Sequence, residues 1–264
     1  MPRALRAAAL LWLLSLFAME AGASQIANDS FAYPVGPLPG NNGGSGWGGF
    51  WNGDAGVAIQ PGAGLSHALG LPSSGRLIGG GFNANRSLAA AISATTFWAS
   101  FQIRSDAGND QVWLGFDVAA TSLPMIAFGR RLNTYFIQNG SNPAVSFCCA
   151  SGSGVTDLLI ARVVRGGAST TVDLWVNKLP TGAPNLTSVF GGIPAPSVVN
   201  TQVQPGLVAD EIWIGTTPAD VAASATTHVP VPPWAIWLLG LLLLAVAQRA
   251  VRGSRSRALA RVKS

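Results

Sequence analysis

Asp210 and Glu211 are the one pair of adjacent carboxylates in the chain, and paired carboxylates are the first place to look for acid–base chemistry. They lie in "ADEIWIGT", a segment that alternates like a strand, and neighbours on a regular strand point to opposite faces. Such a pair cannot converge on one substrate. The two histidines, His67 and His228, are far apart in the sequence. Ser66 beside His67 is adjacency rather than the spatial relay that nucleophilic catalysis needs. Cys148 and Cys149 are the only cysteines. Neighbouring thiols on a strand also diverge, so bonding them to each other requires a distorted turn. Two semi-buried thiols, a vicinal disulfide and intermolecular pairing are the open alternatives, and two sulfur ligands alone make a poor zinc site. In "SDAGND" the oxygens of Asp106, Asn109 and Asp110 could hold Ca²⁺; an Asx-rich turn is the alternative. "NNGGSGWGGFWNGD" has the glycines of a phosphate cradle without its Lys and Ser/Thr. It reads instead as a loop that lets two tryptophans pack.

The tryptophans form the most suggestive constellation. In "TTFWASFQIRS", Phe97, Ala99, Phe101 and Ile103 take one phase and Trp98 the other. In "QVWLGFDV", Val112, Leu114, Phe116 and Val118 oppose Trp113 and Asp117. In "TVDLWVNK", Val172, Leu174 and Val176 oppose Asp173 and Trp175. In "ADEIWIGT", Ile212 and Ile214 oppose Trp213. A period of two marks half-buried strands. Trp98, Trp113, Trp175 and Trp213, with Asp117 and Asp173, therefore sit outside the aliphatic phase. There they would form either an aromatic surface for sugar rings or rings covered by loops.

These strands are separated by turn clusters such as "QNGSNP" and "RGGAST". Glycine is abundant, at 32 residues, and only 10% of the chain is charged. Together these features predict an all-β fold, an antiparallel two-sheet sandwich or jelly roll.

The ends read as targeting segments. Arg3 and Arg6 precede an apolar run, Ala7 to Ala18, and a small-residue site at Ala21-Gly22-Ala23. This predicts a cleavable signal peptide over residues 1–23, since a bilayer span needs about 20 apolar residues. At the other end, residues 222–233 read as a linker with prolines and 234–248 as a short transmembrane segment. Residues 249–264 form a basic tail held in the cytoplasm by its arginines. This leaves the domain outside the cytoplasm.

Proline motif, span and arginine tail together resemble the PEP-CTERM type of sorting signal of exported bacterial proteins. The resemblance implies cleavage near Pro230, Pro232 and Pro233 by an exosortase-type enzyme at the inner membrane, followed by release to the cell surface or extracellular space. The usual Val-Pro-Glu-Pro is here Val229-Pro230-Val231-Pro232, without the Glu.

The formal net charge of +5 resides in these ends. Between Ser24 and Val229 eight basic residues face ten acidic ones, which leaves no electrostatic footprint for nucleic acid.

"NDSFAYPVGPLPGNNGGSGWGGFW", "DLLIARVVRGGASTTVDLWVN" and "VADEIWIGTTPADV" resemble a concanavalin A-like (LamG-type) jelly roll over residues 24–221. The resemblance implies two curved sheets with the first and last strands adjacent, and often carbohydrate binding or adhesion. Laminarinase-like members of that fold carry Glu-x-Asp-x-x-Glu on one strand. This chain lacks the motif, and after the signal peptide Glu211 is its only glutamate. The expectation is a non-enzymatic polysaccharide-binding or adhesion module, with no cofactor and an envelope glycan as partner. The alternatives are a glycan-active enzyme on the same fold, or a structural surface protein with a protein partner.

Overall fold

The structure, a computed structural model, describes residues 24–71, 75–106, 111–120, 124–140, 145–150 and 152–222. The signal peptide, the sorting prolines, the transmembrane segment and the basic tail lie outside the described residues, as do Asn109 and Asp110. Among the described residues no helix is long and apolar enough to cross a membrane.

The fold is all-β. Its strands are β1 (Gln25–Asp29), β2 (Gly36–Pro37), β3 (Asn52–Gly53), β4 (Ala58–Ile59), β5 (Ile78–Ser87), β6 (Thr96–Ser105) and β7 (Gln111–Asp117). They continue with β8 (Ile126–Arg131), β9 (Thr134–Gln138), β10 (Val145–Ala150), β11 (Thr156–Arg165), β12 (Ser169–Val176), β13 (Leu186–Gly191) and β14 (Val198–Gly215). All pairings are antiparallel. β14 belongs to two sheets. Its first part, Val198 to Val203, pairs with β7 and with the later part of β5. Its second part, Leu207 to Gly215, pairs with β6 on one side and, on the other, with the start of β5 (Gly79 and Ile78 opposite Val208 and Ala209) and then β1. The break falls at Gln204-Pro205-Gly206, where proline interrupts the ladder and Gly206 takes φ 82°. The first sheet therefore runs β1-β14-β6-β11-β12-β13. The second runs β10-β9-β8-β7-β14-β5, with β3 on the later part of β5; the start of β5, beside the second part of β14, carries β4, and β4 carries β2. First and last strands are adjacent, Ile214 lying opposite Ala27.

The in-phase aliphatics do what their period requires. Phe97, Phe101 and Ile103 of the first sheet and Val112, Leu114, Phe116 and Phe128 of the second are fully or almost fully buried in one core. Phe97 meets Phe116 edge-on at 5.0 Å, and Phe101 meets Phe128 at 5.5 Å, across the gap between the sheets. Each such side chain contributes about 1.5–3 kcal/mol of burial. The phase ends earlier than the sequence implied in one place. Val118 lies past the end of β7 and is exposed, because the chain turns into the connection to β8.

The glycine-rich segment is a plug with a charged centre. Trp47 and Trp51 pack at 5.7 Å over the guanidinium of Arg86, which lies 4.9 Å from the Trp47 ring. Arg86 pairs with Asp29 at 2.7 Å, both side chains 1% exposed. Asp29 also accepts bonds from the Tyr33 hydroxyl, the Trp51 indole and the Phe31 N–H. Burial pushes the Asp29 carboxyl above the usual range while these donors and Arg86 pull against it. Burial and the neighbouring Asp29 charge raise Tyr33 to about 12.

Candidate functional site

The structure divides the four out-of-phase tryptophans between opposite faces of the sandwich. Trp98, Trp175 and Trp213 lie on the outer face of the first sheet, where register sets Trp98 opposite Arg162 and Trp213 opposite Ser100. The Trp98 and Trp175 rings are 5.5 Å apart. They are covered: Leu158, Ile160, Val221 and Ala222 bury them, with Leu69 and Leu179 packed alongside. The covering is built locally. Asp220 accepts the N–H groups of Thr216 and Thr217, which folds the chain end back, and Ser100 Oγ donates to the Val221 carbonyl. Gly215 permits this, since a Cβ there would lie 2.1 Å from the Asp220 side chain.

The polar groups of this face are also engaged. The Trp175 indole donates to the Gly182 carbonyl at 2.9 Å. Asp173 accepts Arg162 at 2.6 Å and the Thr187 hydroxyl at 2.7 Å, and Arg162 lies under 6 Å from both the Trp98 and Trp175 rings. Leu65 N–H donates to Asp210 at 2.7 Å, which pins residues 61–71 across the sheet. Gly70 presses on Gln102, leaving no room for a Cβ. Nearby, His67 Nδ1 accepts the Leu69 N–H. Burial lowers the His67 pKa while the Asp157 charge opposes the shift.

The simple alternation expected for Asp210 and Glu211 does not hold. Between Asp210, opposite Gln102, and Trp213, opposite Ser100, the register slips by one residue, and Glu211 takes φ 53°. This β-bulge lets Glu211 accept the Trp213 indole N–H at 2.8 Å, while Asp210 accepts the Glu211 and Leu65 N–H groups. Both carboxylates are buried structural acceptors. The core changes phase across the bulge, from Leu207 and Ala209 before it to Ile212 and Ile214 after it, a shift that is lost when the segment is read from Ile212 onward.

Trp113 and Asp117 lie on the outer face of the second sheet. Asp117 is buried and accepts the Val118 N–H. Trp113, 4% exposed and packed with Ala127 and Phe136, lies under a hollow of about 230 Å³ whose lining also includes Gln111, Pro124, Ala127, Arg131, Gln138 and Gln202. Strand order explains the lining. Gln202, Trp113, Gly129 and Phe136 follow one another across β14, β7, β8 and β9, and Gln111 stands opposite Arg131. Gly129 is required there, since a Cβ would lie 2.6 Å from Trp113 Cα. The indole N–H donates to Gln202 Oε1, which fixes the ring plane. Beyond Gln202, a bulge in β5 sets Phe82 and Asn83 against it, with Phe82 58% exposed. Asn52, Asn85 and Asn200 share a neighbouring row.

The sequence reading found Trp113 but missed Gln111, Arg131, Gln138 and Gln202. Out-of-phase amides on "QVW" and "TQVQ" were a visible signal. What joins them is the pairing of β7 with β14, 88 and 89 residues away along the chain.

A cavity of about 870 Å³ lies between residues 32–34 and 62–66, with Arg76 its one charged wall among the described residues. Asp106 is held by Arg104 through both carboxylate oxygens, at 2.8 and 2.9 Å, which lowers its pKa. Among the described residues no cluster of three or more His, Cys, Asp or Glu side chains could hold a metal ion. Cys148 and Cys149 are free thiols.

No protein-family model and no curated protein matches the chain. Among solved structures it is similar to an endo-β-1,4-glucuronan lyase from the fungus Trichoderma reesei, with TM-score 0.43 and 12% identity over 72% of this chain and 98% of that one. It is similar to lectin II from Ulex europaeus, with TM-score 0.41 and 11% identity over 71% and 96%. A Trypanosoma rangeli sialidase overlaps with TM-score 0.44 and 9% identity over 75% of this chain, which spans 32% of the sialidase. These are loose overlaps of sandwich architecture.

Proposed function

We propose that this protein is an exported, non-enzymatic polysaccharide-binding module that takes glycan on the outer face of its second sheet. The observation that carries the reading is the Trp113 hollow: an indole of fixed orientation, ringed by three glutamine amides and an arginine. Sugar rings offer an apolar face and a rim of hydroxyls; Pro124, Ala127 and the small exposed part of Trp113 would meet the face, and the amides and Arg131 the hydroxyls. Size decides between an enclosed ligand and a surface one. At about 230 Å³ the hollow is smaller than the ~300–1,000 Å³ of a small-molecule cleft. It would seat one residue of a chain whose neighbours run over Phe82 and the asparagine row.

The test is affinity for a polysaccharide panel, read by intrinsic fluorescence and calorimetry. Arg131→Ala and Trp113→Ala are expected to lose about tenfold or more in affinity, ~1.4 kcal/mol, with unchanged circular dichroism for Arg131→Ala. Trp175→Ala, on the opposite face, should retain the affinity of any folded fraction. Full binding by both Arg131→Ala and Trp113→Ala would remove glycan from this face.

Export and sorting rest on the ends of the sequence. The basic n-region and short apolar run would direct the chain out. The C-terminal apolar stretch would hold it at the inner membrane until an exosortase-type enzyme cuts near Pro230 to Pro233. Intact mass of surface-derived protein is expected to give a C-terminus upstream of Trp234. A chain that still ends at Ser264 would leave the anchor and remove the cleavage.

A further inference from the structure

Cys148 and Cys149 lie near the end of β10, the outermost strand of the second sheet. Their register with β9 sets Phe147 opposite Phe136 and Cys148 opposite Tyr135, then jumps to Ala150 opposite Thr134. Cys149 is the extra residue of a bulge and takes φ 51°, a left-handed conformation that non-glycine residues adopt rarely. The usual divergence of neighbouring side chains is thereby broken. Cys148 packs against the core between the sheets. Cys149 Sγ accepts a bond from Asn185 Nδ2 at 3.6 Å, and Asn185 precedes β13 at the edge of the first sheet. Both sulfurs thus turn toward the rim where the two sheet edges meet, and there Ser188 Oγ also donates to Ser146 Oγ at 2.6 Å.

We propose that Cys148 and Cys149 are a redox pair that closes into a disulfide between adjacent residues, using a small-molecule or protein disulfide as oxidant. Cys149 is the exposed thiol and Cys148 the half-buried one, so Cys149 reacts first. It loses its proton and attacks one sulfur of the oxidant, releasing one thiol and leaving a mixed disulfide. Cys148 then loses its proton and attacks the Cys149 sulfur, expelling the second thiol. The two cysteine sulfurs are oxidised by two electrons, and the oxidant's disulfide is reduced to two thiols. In the dithiol, burial first and the adjoining Cys149 thiol second push Cys148 up to about 12; the burial persists in the mixed disulfide, so the second step accelerates as pH rises. The closed ring makes the kink at the end of β10 covalent. A bulge there already blunts an edge strand against pairing with another chain. Oxidation would make that blunting permanent, and reduction would restore its freedom.

The test treats the full chain with oxidised glutathione, quenches with acid, alkylates under denaturing conditions and reads intact mass. Reduced protein should take two alkyl groups. Oxidised protein should remain monomeric, take none and be lighter by two hydrogens, after passing through a glutathione adduct that disappears faster at higher pH. Cys148→Ser, which lacks the resolving thiol, should keep one glutathione adduct. Two alkyl groups after oxidation, a lasting adduct on the natural chain, a disulfide-linked dimer, or no adduct on Cys148→Ser would each overturn the proposal.

Discussion

Replacing Arg86 with methionine is expected to destabilise the domain by about 3–5 kcal/mol, with a matching fall in the urea midpoint followed by tryptophan fluorescence. The guanidinium and the Asp29 carboxylate are enclosed together, and removing the cation leaves a buried acid with no counter-charge. More than the ion pair is lost. Arg86 also donates to the Gly43 and Gly49 carbonyls and to Asn42, and it lies against the Trp47 and Trp51 rings. Arg86→Lys would keep the charge and lose the planar fork, so it should fall between the two. The control is Arg104→Met. Its partner Asp106 is 47% exposed, and pairs of that kind contribute about 0–1 kcal/mol. Equal effects at the two arginines would mean that the buried network holds nothing together.

Gly46→Ala is the second large effect. Gly46 has φ 80°, and a Cβ there would lie 1.9 Å from the Ile26 carbonyl oxygen and 2.7 Å from Ala27 Cα. Both obstacles are backbone of β1, so no side chain can swing aside. The glycine-rich segment would have to leave β1, separating Ser45 from its two backbone bonds to Asn28. We expect a loss of about 3 kcal/mol or more, in the range of severe single substitutions. Gly40 separates strain from contact: its φ is 91° and nothing lies within 4 Å of its absent Cβ. Gly40→Ala should therefore cost only the left-handed strain, about 1–2 kcal/mol. Similar midpoints for the two variants would show that the packing against β1 is not what requires Gly46.

Strand phase carried much of the fold. The four alternating segments that hold Phe97, Leu114, Leu174 and Ile214 are strands, with those residues in the core. The glycine-rich loop also packs two tryptophans as its composition suggested. Pairing order was not legible. Period tells which side of its own strand Trp113 occupies, but not that β7 joins the opposite sheet from β6, β11 and β12. Burial of out-of-phase rings was equally hidden. Trp98 and Trp175 are 8% and 3% exposed because residues near Leu69 and Ala222 fold over them, and no local pattern announces that. The Arg86–Asp29 pair spans 57 residues, and neither residue stands out among its neighbours. The Glu211 bulge moves the core positions from Leu207 and Ala209 to Ile212 and Ile214, a change of phase that Ile212 and Ile214 alone do not show. Only Ala150 is paired beyond the Cys149 bulge, too little chain to carry a phase.

The bend in β14 has a consequence for the order of events in folding. Each sheet has as an inner strand one part of a segment that begins only at Val198. Until that segment leaves the ribosome, β6 lacks its partner on one side, as does β7, and β1 has only its bridge to Ser45. Local hairpins such as β11–β12 and β8–β9 can form early, but the two layers cannot be joined. Such late, non-local closure belongs to the slow class of folding topologies. A nascent chain that stops before Val198 is a set of unclosed hairpins, and the sandwich snaps together only when almost the whole domain has been made.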